Sequence, residues 1–279
     1  MGQMPRASAN GIEVEYETFG NPKTAPLLLI GGLGTQMISW DDEFCELLAT
    51  RGFLVIRFDN RDTGLSTYVD GAYELDDMAD DAAGLLGALE VPAAHVVGAS
   101  MGGFIAQLLA INHPHRVLTL TSIMSGPGGQ DQVPPTEQGS AVLRVPPPKT
   151  RDEQIELGLW AKKVLLGPAD PFDDGWERAR IERAVDRAYH PAGFARQLQA
   201  IMAARGRLTR LAAIRVPTLV IHGDADILVP VDNGRQVAAA VPGARLLEIE
   251  GMGHDLPRRV WPQVADAIAD LAQHARAAC

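Results

Sequence analysis

The sequence predicts an α/β fold: a mostly parallel, twisted sheet with helices on both faces, interrupted by an inserted block of helices. Three observations carry that prediction. Short apolar runs without alternation at 27–30, 54–56, 95–97, 118–123 and 218–221 read as strands buried on both faces. Helical stretches at 42–50, 75–89 and 102–113 lie between them, so strand and helix alternate as a parallel sheet requires. The alternation stops between residues 126 and 207 and resumes at Val216.

Taken in order, Ile12, Val14 and Tyr16 alternate with Glu13, Glu15 and Glu17, the period-2 pattern of an antiparallel strand with its glutamates in water. The turn Gly20-Asn21-Pro22 ends it. Cys45 falls in the helix at 42–50 and reads as a small buried hydrophobe. Segment 126–148, with Pro134-Pro135 and Pro146-Pro147-Pro148, reads as linker. Helices are expected at 151–166, 176–189 and 192–205. Lys162-Lys163 and the arginines from 178 to 187 are interleaved with Glu177, Glu182 and Asp186, which predicts a solvated, salt-bridged face. The chain thus divides into one core domain, 1–125 with 211–279, and a helical cap at 126–210.

Composition narrows the function classes. The 279 residues are 46% hydrophobic and carry a net charge of −10, enough for a sizeable core and wrong in sign for a phosphate backbone. Nucleic acid is therefore not an expected partner. The two cysteines, Cys45 and Cys279, form no CxxC, and no His/Cys cluster has zinc spacing, so neither a disulfide framework nor a metal is expected. The opening residues lack the apolar stretch of a signal peptide, and no apolar run approaches the ~20 residues of a membrane span. A cytoplasmic enzyme with no membrane partner is the expectation; monomer and homodimer both fit.

The chemistry centres on Ser100. It stands in Gly98-Ala99-Ser100-Met101-Gly102, between a buried strand and a helix, and Gly-x-Ser-x-Gly at such a turn is a nucleophile elbow. The turn exposes the serine, and the new helix aims its first amides where an oxyanion would develop. A serine hydroxyl needs a base, and the base an orienting acid. His95, His113, His115, His190, His222 and His274 lie in or beside regular elements and read as structural. His254 instead sits in a Gly-rich loop, 250–257, beyond the strand at 245–249, where α/β sheets place functional groups. The segment after the strand at 218–221 offers two carboxylates, Asp224 and Asp226.

The elbow, this acidic segment and the His loop together resemble the α/β-hydrolase superfamily. The resemblance implies that Asp226 is the acid, as the second aspartate of Gly-x-x-Asp-x-x-x-Pro, and that Asp224 supports the loop. Ser100, Asp226 and His254 follow the Ser…Asp…His order of that fold. It also implies an oxyanion hole from the amides of Met101 and of Leu33, in the loop at 30–35, with Gly31-Gly32 where many members have His-Gly. The segment 57–66 is similar to the superfamily's Asp-x-Arg-Gly-x-Gly-x-Ser turn, with Asp62 replacing a glycine and charged residues that brace the turn. With Trp40-Asp41-Asp42-Glu43-Phe44 and Gly251-Met252-Gly253-His254, the chain is similar to actinobacterial esterases, among them methylesterases of polyketide-derived anthracyclines. The implied function is cofactor-free hydrolysis of a small-molecule carboxylic ester, with Gly32, Trp40 and Trp160 as pocket residues. Lactone hydrolysis, C–C bond hydrolysis and perhydrolysis use the same triad, and a non-enzymatic binding protein of this fold is the remaining alternative.

Overall fold

The computed structural model describes residues 5–277. Residues 1–4, part of the stretch read as lacking a signal peptide, and Cys279 lie outside the described residues. In chain order the elements are β1 (Arg6–Ala9), β2 (Ile12–Phe19), β3 (Ala25–Ile30), α1 (Asp42–Thr50), β4 (Phe53–Phe58), α2 (Leu75–Ala88), β5 (Ala94–Ala99), α3 (Met101–Asn112) and β6 (Val117–Ile123). Then come α4 (Glu137–Ala141), α5 (Arg151–Leu165), α6 (Asp174–Arg187), α7 (Pro191–Ala203) and α8 (Leu208–Leu211). The chain closes with β7 (Thr218–Gly223), α9 (Asp232–Ala240), β8 (Arg245–Ile249) and α10 (Trp261–Ala277).

The strands form one eight-stranded sheet in the order β1-β2-β4-β3-β5-β6-β7-β8. Pairing is antiparallel at β1-β2 and β2-β4 and parallel from β4 to β8. The unbroken apolar runs follow from burial of both faces. In β3, Leu28 and Ile30 join Val96, Leu120 and Val220 in the core under α2 and α3, with Leu86 and Ile105. Leu27 and Leu29 join Val97, Leu219 and Ile221 on the other face, against Phe44 and Leu48 of α1 and Val264 and Ile268 of α10. Cys45 is buried there, and burial pushes its thiol up to about 12, so it is inert as a nucleophile.

One strand lies outside the sequence reading, and three expectations need correction. The alternating strand β2 has a hairpin partner, β1, joined through Asn10-Gly11 at φ 48° and 78°. Glu15, expected in water, is buried: its carboxylate accepts from Arg6 Nε at 2.8 Å and its amide donates to Ser66 Oγ at 2.9 Å. The segment 126–148 contains a helix, α4, capped by Thr136, whose hydroxyl accepts from Gly139 N. The charged face of α6 is solvated on one side only. Arg151 pairs with Asp186 across exposed surface, but Arg180 reaches Asp41 at 2.8 Å and Arg187 reaches the fully buried Asp59 at 2.7 Å. A helix has two sides, and interleaved charges satisfied both.

The helices α4 to α7 form the insertion between β6 and β7, and polar ties seat it on the loops at the carboxyl edge of the sheet. Gln197 of α7, fully buried, accepts from Gly34 N at 2.8 Å and donates to Arg61 O and Thr63 Oγ1. Asp62 adopts φ 67°, a left-handed conformation that explains why a glycine is usual in this turn. Its carboxylate accepts from Val69 N and, bidentate, from Arg196 of α7 at 2.7 and 2.9 Å, which offsets the strain.

Candidate active site

Four chain segments reach the same edge of the sheet because β3, β5, β7 and β8 are parallel and end there. Ser100 follows β5 directly, at φ 55° and ψ −119°. A side chain in that backbone region is strained by about 1–3 kcal/mol, and close packing holds it. A Cβ placed on Gly98 would lie 2.0 Å from Gly102 O, and one on Gly102 would lie 2.1 Å from Ile30 O. Both glycines of the elbow are therefore required by backbone approach. Ser100 N donates to Ile123 O at 2.9 Å, which fixes the turn against β6.

Ser100 Oγ lies 2.9 Å from His254 Nε2, and His254 Nδ1 lies 2.7 Å from Asp226 Oδ2. An ionised carboxylate only accepts, so Nδ1 carries the proton and Nε2 is left to accept from the serine hydroxyl. Asp226 accepts three hydrogen bonds. Its Oδ1 accepts from Leu228 N at 2.9 Å and Val229 N at 2.8 Å, and its Oδ2 from His254 Nδ1, with His222 Nε2 3.5 Å away. Burial raises the Asp226 pKa, but His254, His222 and the Val229 amide outweigh it and hold the carboxyl well below the usual range.

That depression fixes a sign for acid stability. Ionised Asp226 contributes stability that is complete above the ordinary aspartate pKa, about 4, and is lost as pH falls toward the lower folded-state value. Asp226→Asn is thus expected to shift the urea midpoint most at pH 7, with the gap to the parent narrowing below about pH 4. A gap that stays constant down to pH 3 would contradict the linkage.

The structure also assigns a place to His222, read from sequence as structural. It is fully buried, and its Nε2 lies 2.7 Å from Val229 O, so the proton sits on Nε2 and points along the Val229–Asp226 turn. Asp224 accepts from Gly251 N at 2.7 Å and so braces the His254 loop. The other histidines have separate partners: His95 meets Thr119, His113 meets Asp80, His115 lies edge-on to His113, His190 stacks on Tyr68 and His274 reaches Asp270 O.

Met101 N opens α3 directly after Ser100, and Leu33 N lies in the loop after β3; neither donates to a backbone carbonyl among the described residues. The neighbouring Gly34 N is engaged by Gln197 Oε1 at 2.8 Å. Gly32 is against the serine, since a Cβ there would lie 3.4 Å from Ser100 Cβ and 3.9 Å from Oγ. Asn60 Nδ2 donates to Gly31 O at 3.1 Å and anchors the loop. Phe194 of α7 covers it, packing so closely on Gly34 that a Cβ would clash at 2.6 Å.

The other expected pocket residues fare differently. Trp40 is buried and stacks on Phe44 with centroids 6.0 Å apart, and its Nε1 lacks a partner among the described residues. Trp160 on α5 is 39% exposed, a surface position on the insertion. Sequence reasoning passed over Gln197, whose partners lie more than 130 residues away along the chain; only its place in a helix of the insertion hinted at it.

Residues 25–257 match the family model of the alpha/beta hydrolase fold. The chain is 38% identical to rhodomycin D methylesterase DauP of Streptomyces sp. (strain C5), over 94% of each chain. It is 37% identical, over the same shares, to rhodomycin D methylesterase DnrP of Streptomyces peucetius. Among solved structures, the meta-cleavage product hydrolase CumD of Pseudomonas fluorescens IP01 superposes with a TM-score of 0.83 at 21% identity, covering 97% of this chain and 98% of that one. An eight-stranded, mostly parallel sheet with a Ser-His-Asp relay at its carboxyl edge agrees with both kinds of likeness, and the chain belongs to the α/β-hydrolase family.

Proposed function

We propose that this protein is a serine hydrolase of carboxylic esters, acting on a methyl ester carried by a bulky polyketide-like ring system. The observation that carries the reading is the unbroken relay Ser100–His254–Asp226 at 2.9 and 2.7 Å; the amides of Leu33 and Met101 are assigned as the oxyanion hole. Ser100 Oγ attacks the ester carbonyl carbon as its proton passes to His254 Nε2, and the carbonyl oxygen becomes an oxyanion held by the two amides. The oxyanion collapses, the C–O bond to the alcohol breaks, and His254 returns the proton to the departing methanol. Water then enters, loses a proton to His254 and attacks the acyl-enzyme, releasing the carboxylic acid and restoring Ser100. Asp226 keeps the proton on Nδ1 and stabilises the imidazolium that forms twice in the cycle. Chain and water supply every proton and electron pair in this scheme.

The insertion at 126–210 is the cap of this site and supplies the walls of the pocket. Phe194 over the loop that holds Leu33 supports that assignment. The substrate class rests on the likeness to the two rhodomycin D methylesterases. The deciding experiment assays one preparation on rhodomycin D, p-nitrophenyl acetate, a lactone and a β-diketone. One methanol released per rhodomycin D consumed, at the highest kcat/KM of the set, is the expected result. Faster turnover of the lactone or the β-diketone would overturn the substrate class. Labelling of Ser100 by a fluorophosphonate with no ester turned over would make the protein a binding module.

A further inference from the structure

The loop that carries His254 is fastened to the end of α5 and the segment after it, as well as to the turn after β7. His254 N donates to Leu165 O at 2.8 Å, and Ala169 N donates to Gly251 O at 3.3 Å. The two chains touch backbone to backbone. A Cβ on Gly253 would lie 2.1 Å from Leu165 O, and one on Gly167 would lie 2.0 Å from Gly251 O. One turn before Leu165, Lys162 Nζ meets Asp255 Oδ1 at 2.6 Å. Asp255 is the residue after the proposed base.

Lys162 also does something that an apolar residue could not. Burial would push the Asp255 carboxyl up; Lys162, with Arg180 beyond it and the Leu256 amide, reverses this and holds it below the ordinary range. Asp255 is therefore a carboxylate, one residue from the imidazole, and its charge is compensated on the spot. The cluster around it comprises Lys162 from α5, Arg180 and Glu177 from α6 and Asp41 from the segment before α1. On the other side, the imidazole faces Asp226 and Ser100, with His222 behind Asp226.

We infer that Lys162 is a positioning residue for His254: held on Asp255, it fixes the height of the imidazole over Ser100 and cancels a neighbouring negative charge. This rests on His254 being the base. The insertion thereby sets the geometry of the reaction as well as the shape of the pocket.

The test uses the full chain and p-nitrophenyl acetate, whose small acyl group makes little demand on the pocket. Lys162→Met is expected to lower kcat about ten- to a hundredfold, the scale of a misplaced catalytic group, with KM within twofold. Its uncompensated Asp255 favours the imidazolium, so the acid limb of kcat/KM is expected to move to higher pH. Lys162→Arg is expected to restore the limb and most of kcat. The double variant Lys162→Met/Asp255→Asn is expected to restore the limb without restoring kcat. Lys162→Gln, which keeps a donor but no charge, serves if the methionine variant does not fold, and its limb is expected to move in the same direction.

An unchanged kcat and limb in folded Lys162 variants, or a lower melting temperature alone, would reduce the pair to a stability contact and overturn the inference. A raised KM at constant kcat would overturn it too, by placing Lys162 in the pocket. Ser100→Ala separates the two levels: full turnover in that variant defeats the triad reading, whereas its loss beside inert Lys162 variants defeats only this inference.

Discussion

Ser100→Ala is expected to lower ester turnover by about 10⁴- to 10⁶-fold while leaving the fold in place. The hydroxyl is the protein nucleophile the relay reaches, because His254 Nε2 has no other hydrogen-bond partner among the described residues. Residual turnover would come from water activated by His254 and from the Leu33 and Met101 amides. Alanine keeps a Cβ, so the strained φ of 55° at the elbow persists and the melting temperature is expected to move by only a few degrees. Fluorophosphonate labelling should vanish with activity. Turnover within tenfold of the parent, in protein with an unchanged circular dichroism spectrum, would defeat the assignment.

Gly102→Ala should have the largest effect on stability, about 3 kcal/mol or more. The added methyl group would sit 2.1 Å from Ile30 O and 2.8 Å from Gly31 O, both backbone atoms at the end of a central strand, so no side chain can swing away. The fold must push α3 off β3, opening the core around Ile30 and Ile105. Any folded remainder would have a displaced Leu33 turn and little activity. Gly87→Ala is the control. That glycine lies in α2, where a methyl would meet only the far end of Arg116 at 3.4 Å, so alanine should stabilise by roughly 0.5–1 kcal/mol. Denaturant midpoints of the two variants should move in opposite directions.

The parts of this molecule legible in its sequence are those that act locally. Gly98-Ala99-Ser100-Met101-Gly102 declares itself because the strain, the close approach and the helix start are contained within five residues. The apolar runs of β3 and β5 are legible because burial on both faces removes alternation. Asp224 and Asp226 were equivalent as letters. What separates them is where each carboxylate goes, one to the Gly251 amide and the other to His254, and choosing Asp226 beforehand took a likeness to known proteins.

Residues whose meaning lies in distant partners stayed hidden. Glu15 followed the polar half of an alternating strand, yet Arg6 and Ser66 close over it. Arg187 was one positive charge among several, yet it alone reaches Asp59 in the core. Gln197 carried no signal because its partners are 134 to 163 residues away, and Lys162 read as one more surface charge because Asp255 is 93 residues away. Periodicity reports which face of a helix is apolar, and it is silent on which polar group waits opposite.

The amide of His254 is bonded to a carbonyl of the insertion, and Gly34 N is bonded to Gln197. Evolution cannot then treat the region between β6 and β7 as a freely exchangeable cassette. A transplanted insertion that brings a new pocket must also bring a carbonyl at the level of Leu165, a residue without a Cβ at 167 and an amide side chain at 197, or the recipient loses its catalytic alignment. Substrate range in this lineage is expected to change by substitutions on the inward surfaces of α5 to α7, while the few positions that grip the core stay put.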